Sequence, residues 1–155
     1  MGISVVAAVP HPALCIPELG PRKRDAALQH MIAHAREAGA VRDVASVLEA
    51  VTLREKVSGS AAGKGVALPH ARALAVIEPR WVLARSGRGI DWGAADGAAV
   101  HLVLLVLSPP EWSATAHFDA VTRAAAALRL ARDRTRLREA AGADAMLAAM
   151  RSLTP

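Results

Sequence analysis

The stretch AAVHLVLLVL, residues 98–107, is the longest apolar run in the chain. It is about half as long as the ~20 residues that an α-helix needs to cross a bilayer, so it does not predict a membrane span. Aliphatic side chains at successive positions are typical of a strand that is buried on both faces. We therefore expect residues 98–107 to form the central strand of a sheet and the shorter run 81–84 to form a second strand.

Two helices are expected before these strands. Residues 22–39 carry apolar side chains at helical spacing, and a glycine is well placed to end the helix. Asp43 is a suitable N-cap for a second helix that ends near residue 55. The two segments together predict a helical hairpin.

Further helices are expected after the central strand. Ser113 or Thr115 can cap a long helix, and shorter helices are predicted around Leu137 and over residues 144–150. The predicted inner face of the long helix consists of Phe118, Val121, Ala125 and Leu128. This order of elements predicts a single α/β domain, in which helices cover the faces of a small mixed β-sheet.

The composition favours a protein of the reducing cytoplasm. Hydrophobic residues make up 53% of the 155 residues and aromatic ones 3%, which predicts an aliphatic, closely packed core. Cys15 is the only cysteine, so no internal disulfide can form. The start of the chain lacks a positively charged segment before its apolar residues, so we expect neither secretion nor insertion into a membrane.

The formal net charge of +5 raises the alternative of a basic nucleic-acid-binding domain. Many of the arginines lie near the C-terminus, where they alternate with acidic residues and where Phe118 is the only aromatic residue among them. A solvated helix face explains this pattern better than a stacking surface does. We expect no nucleic-acid partner; binding that weakened steeply with salt would support the alternative.

The most specific local feature is the sequence GKGVALPHAR, residues 63–72. Pro69 requires an extended conformation of Leu68, so the residues before it are expected to form a short strand. We predict that His70 lies where this strand ends and the chain turns, held by the sheet and open to solvent. Residues 57–65, which precede the strand, are small and are expected to form a flexible loop.

This segment resembles the active-site signature of the enzyme IIA proteins of the sugar phosphotransferase system, in the fructose, mannitol and nitrogen-regulatory branch (type 2). In that signature, Gly-x-Gly-aliphatic-Ala-aliphatic-Pro-His presents the phosphorylated histidine. Arg54 and Glu55 match the family's upstream Arg-Glu pair, and His117 matches its second histidine. The likeness runs from about residue 22 to the C-terminus and is weak over residues 1–20. It implies one domain over residues 1–155, with the fold of the phosphotransferase/anion transport proteins.

The resemblance implies that His70 accepts a phosphoryl group from an HPr-like carrier and passes it to a IIB component of a sugar transporter. A nitrogen-regulatory protein, which controls partner proteins by its phosphorylation state, is the alternative. A neutral imidazole is a good nucleophile near neutral pH, and arginine can donate paired N–H groups to phosphate oxygens. The expected catalytic residues are His70, His117, Arg54 and Arg72. The expected phosphate-binding loop consists of Ser60, Gly63 and Gly65, and no cofactor or metal is expected.

One departure from the family signature and two pairs of histidines bear on this interpretation. Ala61 stands where the family has a glycine, so the loop would be strained if this position needed a positive φ. His70 and His117 could alternatively share a metal ion for hydrolysis, although no acidic ligand lies at a suitable spacing. His30 and His34, four residues apart on one helix, are expected to face solvent rather than a metal.

Overall fold

The computed structural model describes residues 14–153. Most of the weakly matched segment 1–20, namely residues 1–13, lies outside the described residues, as do residues 154–155. The elements follow one another in the order β1 (Leu14–Ile16), α1 (Arg24–Glu37), α2 (Val44–Val57), β2 (Ala61–Gly63), β3 (Val66–Ala67), β4 (His70–Arg72), β5 (Arg80–Ile90), β6 (Val100–Ser108), α3 (Ala114–Ala127), α4 (Ala131–Glu139) and α5 (Ala143–Leu153).

The predicted central strand is confirmed as β6. It pairs antiparallel with β5, and it pairs parallel with both β3 and β4 along its other edge. The main sheet has the order β1-β5-β6-β3-β2, with β1 parallel to β5 and β2 antiparallel to β3. The sheet is therefore mixed, as expected, and every strand that carries the site is anchored on β6.

Successive residues of β6 enter two different hydrophobic cores. Val103, Leu105 and Leu107 pack under α1 and α2, whereas Leu102, Leu104 and Val106 pack under α3, α4 and α5. All six side chains are almost fully buried. This explains the apolar run at residues 102–107, because a strand covered on both faces has no polar alternation. None of the helices within residues 14–153 is long and apolar enough to span a membrane.

The predicted caps of α2 and α3 are both present. The Asp43 carboxylate accepts a hydrogen bond from the Ser46 backbone N–H at 3.2 Å, and the Ser113 hydroxyl oxygen accepts one from the Ala116 N–H at 3.0 Å. Each cap satisfies an N–H group that has no partner inside its helix. Helix α2 therefore begins directly after Asp43 and continues to Val57, two residues beyond the predicted end.

The predicted inner face of α3 is wrong by one position. The helix buries His117, Ala120, Ala124 and Ala127, while Phe118 is 51% exposed and Ala125 is exposed. Small alanines let the helix lie close to the sheet, and the large Phe118 ring is then directed to the outside. Val121 is half-buried, and Leu128 is buried as expected.

The sequence predicted that the chain turns at His70, but the structure shows that it stays on the sheet there. Strand β3 ends at Ala67, and after Leu68 and Pro69 the chain continues along the same edge of β6 as β4, which His70 opens. Pro69 lacks an N–H group, but its carbonyl accepts from the Val106 N–H at 3.0 Å. The proline thus interrupts the strand without releasing it from the sheet.

The expected flexible loop over residues 57–65 is largely ordered by strand pairing. Residues 61–63 form β2, and Ala61 pairs with Ala67. Ala61 does not have a positive φ, since Lys64 is the only non-glycine residue with one within residues 14–153. The replacement of the family's glycine by Ala61 therefore strains nothing in this backbone.

Replacing Asp43 by alanine should lower the free energy of unfolding, because the first turn of α2 loses its side-chain cap. Asp43→Ser, which keeps a capping oxygen, should lose less than half of that. Urea denaturation followed by circular dichroism measures both values. Equal stabilities of the alanine and serine variants would contradict this account of where α2 begins.

Candidate functional site

A cleft of about 250 Å³ lies between the C-terminal half of α2, strand β4 and the first turns of α3. The four predicted catalytic residues all line it: Arg54, His70, Arg72 and His117. Phe118 and three alanines complete its wall. The fold therefore brings together four residues from two helices and one strand, and Arg54 and His117 are 63 positions apart in the sequence.

Both ring nitrogens of His70 have a partner whose chemistry fixes the direction of the hydrogen bond. Nδ1 lies 3.1 Å from the carbonyl oxygen of Leu68, and Nε2 lies 3.1 Å from Nε of Arg54. A carbonyl can only accept and a guanidinium can only donate. The His70 proton is therefore on Nδ1, and the lone pair is on Nε2.

The electrostatic surroundings keep this imidazole neutral. Partial burial lowers the pKa of His70 below its ordinary value of 6.5, and the Arg54 guanidinium lowers the pKa further. The Leu68 carbonyl and the Glu55 carboxylate act in the opposite direction but do not reverse the shift. A lower pKa means that the nucleophilic form is present at neutral pH.

A buried hydrogen-bond network stands behind the Leu68 carbonyl. The Glu55 carboxylate, 8% exposed, accepts from both the backbone N–H and the hydroxyl of Ser60. The Ser60 carbonyl in turn accepts from the Leu68 N–H at 2.9 Å, and the Trp92 indole N–H donates to the Ser60 hydroxyl oxygen at 3.0 Å. Leu68, whose carbonyl contacts His70, is thus fixed through its own N–H by Ser60.

The structure does not bring the predicted phosphate-binding loop into the cleft. Ser60 is hydrogen-bonded to Glu55 and Trp92. Gly63 ends β2 and Gly65 lies in the turn that leads to β3, with φ of 83° and 78°. A side chain at Gly65 would come within 3.4 Å of the Ala99 carbonyl oxygen. The glycines are explained by the shape of the turn and by its close approach to a neighbouring strand.

His117 is the second polar group of the cleft. Its ring centroid lies 5.3 Å from that of His70, with the two planes tilted by 47°. Nδ1 of His117 is 2.8 Å from the hydroxyl oxygen of Ser108, and both residues are buried. Burial, which is the largest cause, and the neighbouring His70, Arg54 and Arg72 lower the pKa of His117 to about 4, so this imidazole is neutral at pH 7.

The two arginines that line the cleft come from different elements. Arg54 extends from α2, with its guanidinium carbon 5.9 Å from the centre of the Phe118 ring. Arg72 extends from β4 and donates from Nη1 to the Trp112 carbonyl at 3.0 Å. Both residues are exposed, so each guanidinium retains donors that can face an anion in the cleft.

Sequence reasoning missed three contributors to this site. Ser108 and Trp92 were not expected at the site, and Phe118 was expected on the inner face of the long helix. None carried a local signal, because each makes its contact through the tertiary fold.

His70 and His117, the alternative metal ligands, lie in the same cleft, but no third ligand stands beside them in the described part of the chain. Within residues 14–153 no group of three or more His, Cys, Asp or Glu side chains is arranged to hold a metal ion. His30 is exposed and His34 is half-buried on α1. The nitrogens of His70 and Nδ1 of His117 are already engaged by protein atoms.

Residues 16–152 match the family described as "Phosphoenolpyruvate-dependent sugar phosphotransferase system, EIIA 2". A nitrogen regulatory protein of Bradyrhizobium diazoefficiens is 36% identical over 118 residues, which are 76% of this chain and 76% of that protein. The fructose-specific EIIABC component of Bacillus subtilis is 30% identical over 126 residues, 81% of this chain. The chain spans only 20% of the length of that relative.

Solved structures share the fold. The nitrogen regulatory protein IIA-Ntr from Neisseria meningitidis matches with a TM-score of 0.79 and 23% identity, over 88% of this chain and 92% of that one. The IIA mannitol protein of Escherichia coli, solved in complex with phosphorylated IIB, matches with a TM-score of 0.74 and 18% identity, over 88% and 92% of the two chains. The arrangement of sheet and helices is therefore common to these proteins.

The depressed pKa of His117 predicts a loss of stability in acid. An unfolded chain binds protons at this histidine below about pH 6.5, whereas the folded protein resists protonation down to about pH 4. The free energy of unfolding should therefore fall as the pH is lowered through this window, by on the order of 2 kcal/mol from His117 alone.

Chemical denaturation at several pH values checks this, with His117→Gln compared with the exposed-residue control His30→Gln. The slope between pH 6.5 and pH 4 should be smaller in His117→Gln than in the wild type and unchanged in the control. The same slope in all three proteins would contradict the assignment.

Proposed function

The chain belongs to the type 2 EIIA family of the phosphoenolpyruvate-dependent sugar phosphotransferase system, whose members are phosphoryl-transfer components, and on that basis we propose that Nε2 of His70 accepts a phosphoryl group and passes it on. The observation that supports this best is the pair of contacts on His70. The Leu68 carbonyl accepts a hydrogen bond from Nδ1–H, and the lone pair is left on Nε2, in the cleft.

In the proposed step, Nε2 of His70 attacks the phosphorus of a donor phosphohistidine. The new N–P bond forms as the donor's N–P bond breaks, and the electrons of the broken bond return to the donor nitrogen as its lone pair. The Leu68 carbonyl continues to hold the proton on Nδ1. A ring that is protonated on Nδ1 and phosphorylated on Nε2 is a good leaving group, so the phosphoryl group stays transferable.

Arg54 has to change its contact for this step to occur. In the unphosphorylated protein its Nε–H donates to the same nitrogen that must bond to phosphorus. Arg54 is exposed and its side chain is long, so the guanidinium can move from the nitrogen to an oxygen of the incoming group. Arg72 and the neutral His117 supply further donors around a phosphoryl group on His70.

The sequence suggested that Ser60 binds phosphate, whereas in this proposal it supports His70 indirectly. It acts behind His70, through Glu55 and the Leu68 peptide, and Gly63 and Gly65 shape the adjoining turn. The proposed catalytic residues are therefore His70, His117, Arg54 and Arg72.

The proposed donor is an HPr-like phosphocarrier and the proposed acceptor a IIB component, in the cytoplasm. A IIB protein is the partner of the E. coli IIA mannitol protein in its solved complex. A regulatory role is the second candidate, favoured by the 36% identity to a nitrogen regulatory protein over 76% of both chains. Both roles use the same phosphorylation of His70.

Incubation with phosphoenolpyruvate, enzyme I and HPr should add one phosphoryl group to the wild type and none to His70→Gln. Intact-mass analysis under mildly alkaline conditions, which preserve phosphohistidine, measures the gain. The exposed-histidine variant His30→Gln should be phosphorylated like the wild type. Full phosphorylation of His70→Gln would show that another residue is the acceptor.

Replacing Arg54 by glutamine should slow phosphoryl acceptance by roughly 10- to 100-fold, because a charged donor to the transferring oxygens is lost. Arg54→Lys should lose less, since it keeps the charge but not the paired geometry. Lys56→Gln removes the same charge from the same helix and serves as the control in rapid-quench kinetics. Equal rates for Arg54→Gln and Lys56→Gln would rule out a specific role for Arg54.

A further inference from the structure

Ser108 is a buried polar residue that the proposed catalytic set does not include. It is the last residue of β6 and its exposed fraction is 0%. Its hydroxyl oxygen lies 2.8 Å from Nδ1 of His117. A buried hydroxyl group that follows six aliphatic residues of β6 and contacts a residue of the cleft calls for a physical explanation.

The direction of this hydrogen bond follows from the surroundings of the hydroxyl. Either Ser108 donates to Nδ1, or the protonated Nδ1 donates to the Ser108 oxygen. In the second case the hydroxyl hydrogen would need another acceptor, and among residues 14–153 the structure gives the Ser108 side chain no hydrogen bond other than the one to His117. A buried hydroxyl hydrogen without an acceptor is costly, so the Ser108 hydroxyl is the donor.

This direction determines which nitrogen of His117 carries the proton. Nδ1 accepts from Ser108 and is therefore unprotonated, and a neutral imidazole then carries its single proton on Nε2. In the described part of the chain Nε2 has no hydrogen-bond partner. His117 lines the cleft beside His70, so this N–H is available to a ligand there.

We propose that Ser108 is a positioning residue that holds His117 as the Nε2–H tautomer, with this N–H ready to donate to an oxygen of a phosphoryl group on His70. The assignment of the tautomer stands on the buried Ser108–His117 contact alone. Its role in transfer rests on the proposed function. Burial also keeps His117 neutral, since its pKa is lowered to about 4, and a neutral ring is the form that Ser108 can orient in this way.

The tautomer can be measured in the unphosphorylated protein. In a two-dimensional ¹H–¹⁵N spectrum of ¹⁵N-histidine-labelled protein at pH 7.5, a protonated ring nitrogen and an unprotonated one have clearly different shifts. The signals of His117 are assigned by their loss in His117→Gln. We expect an unprotonated Nδ1 and a protonated Nε2 in the wild type, and the same pattern in Ser108→Thr, which keeps the hydroxyl.

In Ser108→Ala, the Nδ1 shift should move away from its wild-type value, because its hydrogen-bond donor is lost and the second tautomer becomes accessible. The rate of phosphoryl acceptance from phosphorylated HPr should fall about tenfold at saturating donor in Ser108→Ala. In Ser108→Thr it should stay within about twofold of the wild type. The concentration of HPr that gives half the maximal rate should change little, because Ser108 is buried and does not touch the partner.

Two results would overturn the inference: a wild-type His117 protonated on Nδ1, or a Ser108→Ala protein with wild-type nitrogen shifts and a wild-type rate. Thermal unfolding followed by circular dichroism checks that both variants are folded. A wild-type protein that accepts no phosphoryl group would instead overturn the proposed function, while its nitrogen spectrum would still decide the tautomer.

Discussion

The chemistry of this site depends on one constraint, the placement of His70 between an atom that can only accept a hydrogen bond and a group that can only donate one. The Leu68 carbonyl accepts a hydrogen bond from Nδ1–H, and the Arg54 guanidinium donates one to the lone pair of Nε2. The two contacts agree on the same tautomer independently of each other. They leave a neutral nucleophile in a cleft with two arginines, which is what transfer of a phosphoryl group between two nitrogens requires.

The fold supports this arrangement from both of its layers. Strand β4 fixes the backbone of His70 on β6, where His70 pairs with Val106. Helix α2 brings Arg54 within hydrogen-bond distance of Nε2 of His70. Glu55, next to Arg54 in the helix, holds Ser60, whose carbonyl holds the Leu68 peptide. Helix α3 covers the opposite face of the sheet and delivers His117 to the cleft. Strand β6 therefore positions both histidines: His70 pairs with Val106, and Ser108, the last residue of β6, contacts His117.

Much of this could be predicted from the sequence, and the exceptions have physical reasons. The strand β6 and the helices α1 and α2 had strong apolar patterns or a clear cap, and the Pro-His motif identified the acceptor candidate. The inner face of α3 was misjudged because alanine-rich helices carry little periodic signal, and the most hydrophobic residue, Phe118, faces the outside. The contacts from Trp92 to Ser60 and from Ser108 to His117 depend on strand register and helix position, which no local pattern encodes. The glycines at positions 63 and 65 were assigned to phosphate binding, whereas the turn itself needs their positive φ.

The central claim is that Nε2 of His70 is the nitrogen that carries the phosphoryl group. It is tested most directly by phosphorylating ¹⁵N-histidine-labelled protein with phosphoenolpyruvate, enzyme I and HPr and locating the phosphorus by its coupling to a ring nitrogen in NMR spectra. The account predicts coupling to Nε2 of His70, with Nδ1 of the same ring still protonated against the Leu68 carbonyl. Coupling to Nδ1 of His70, or to a nitrogen of His117, would contradict it.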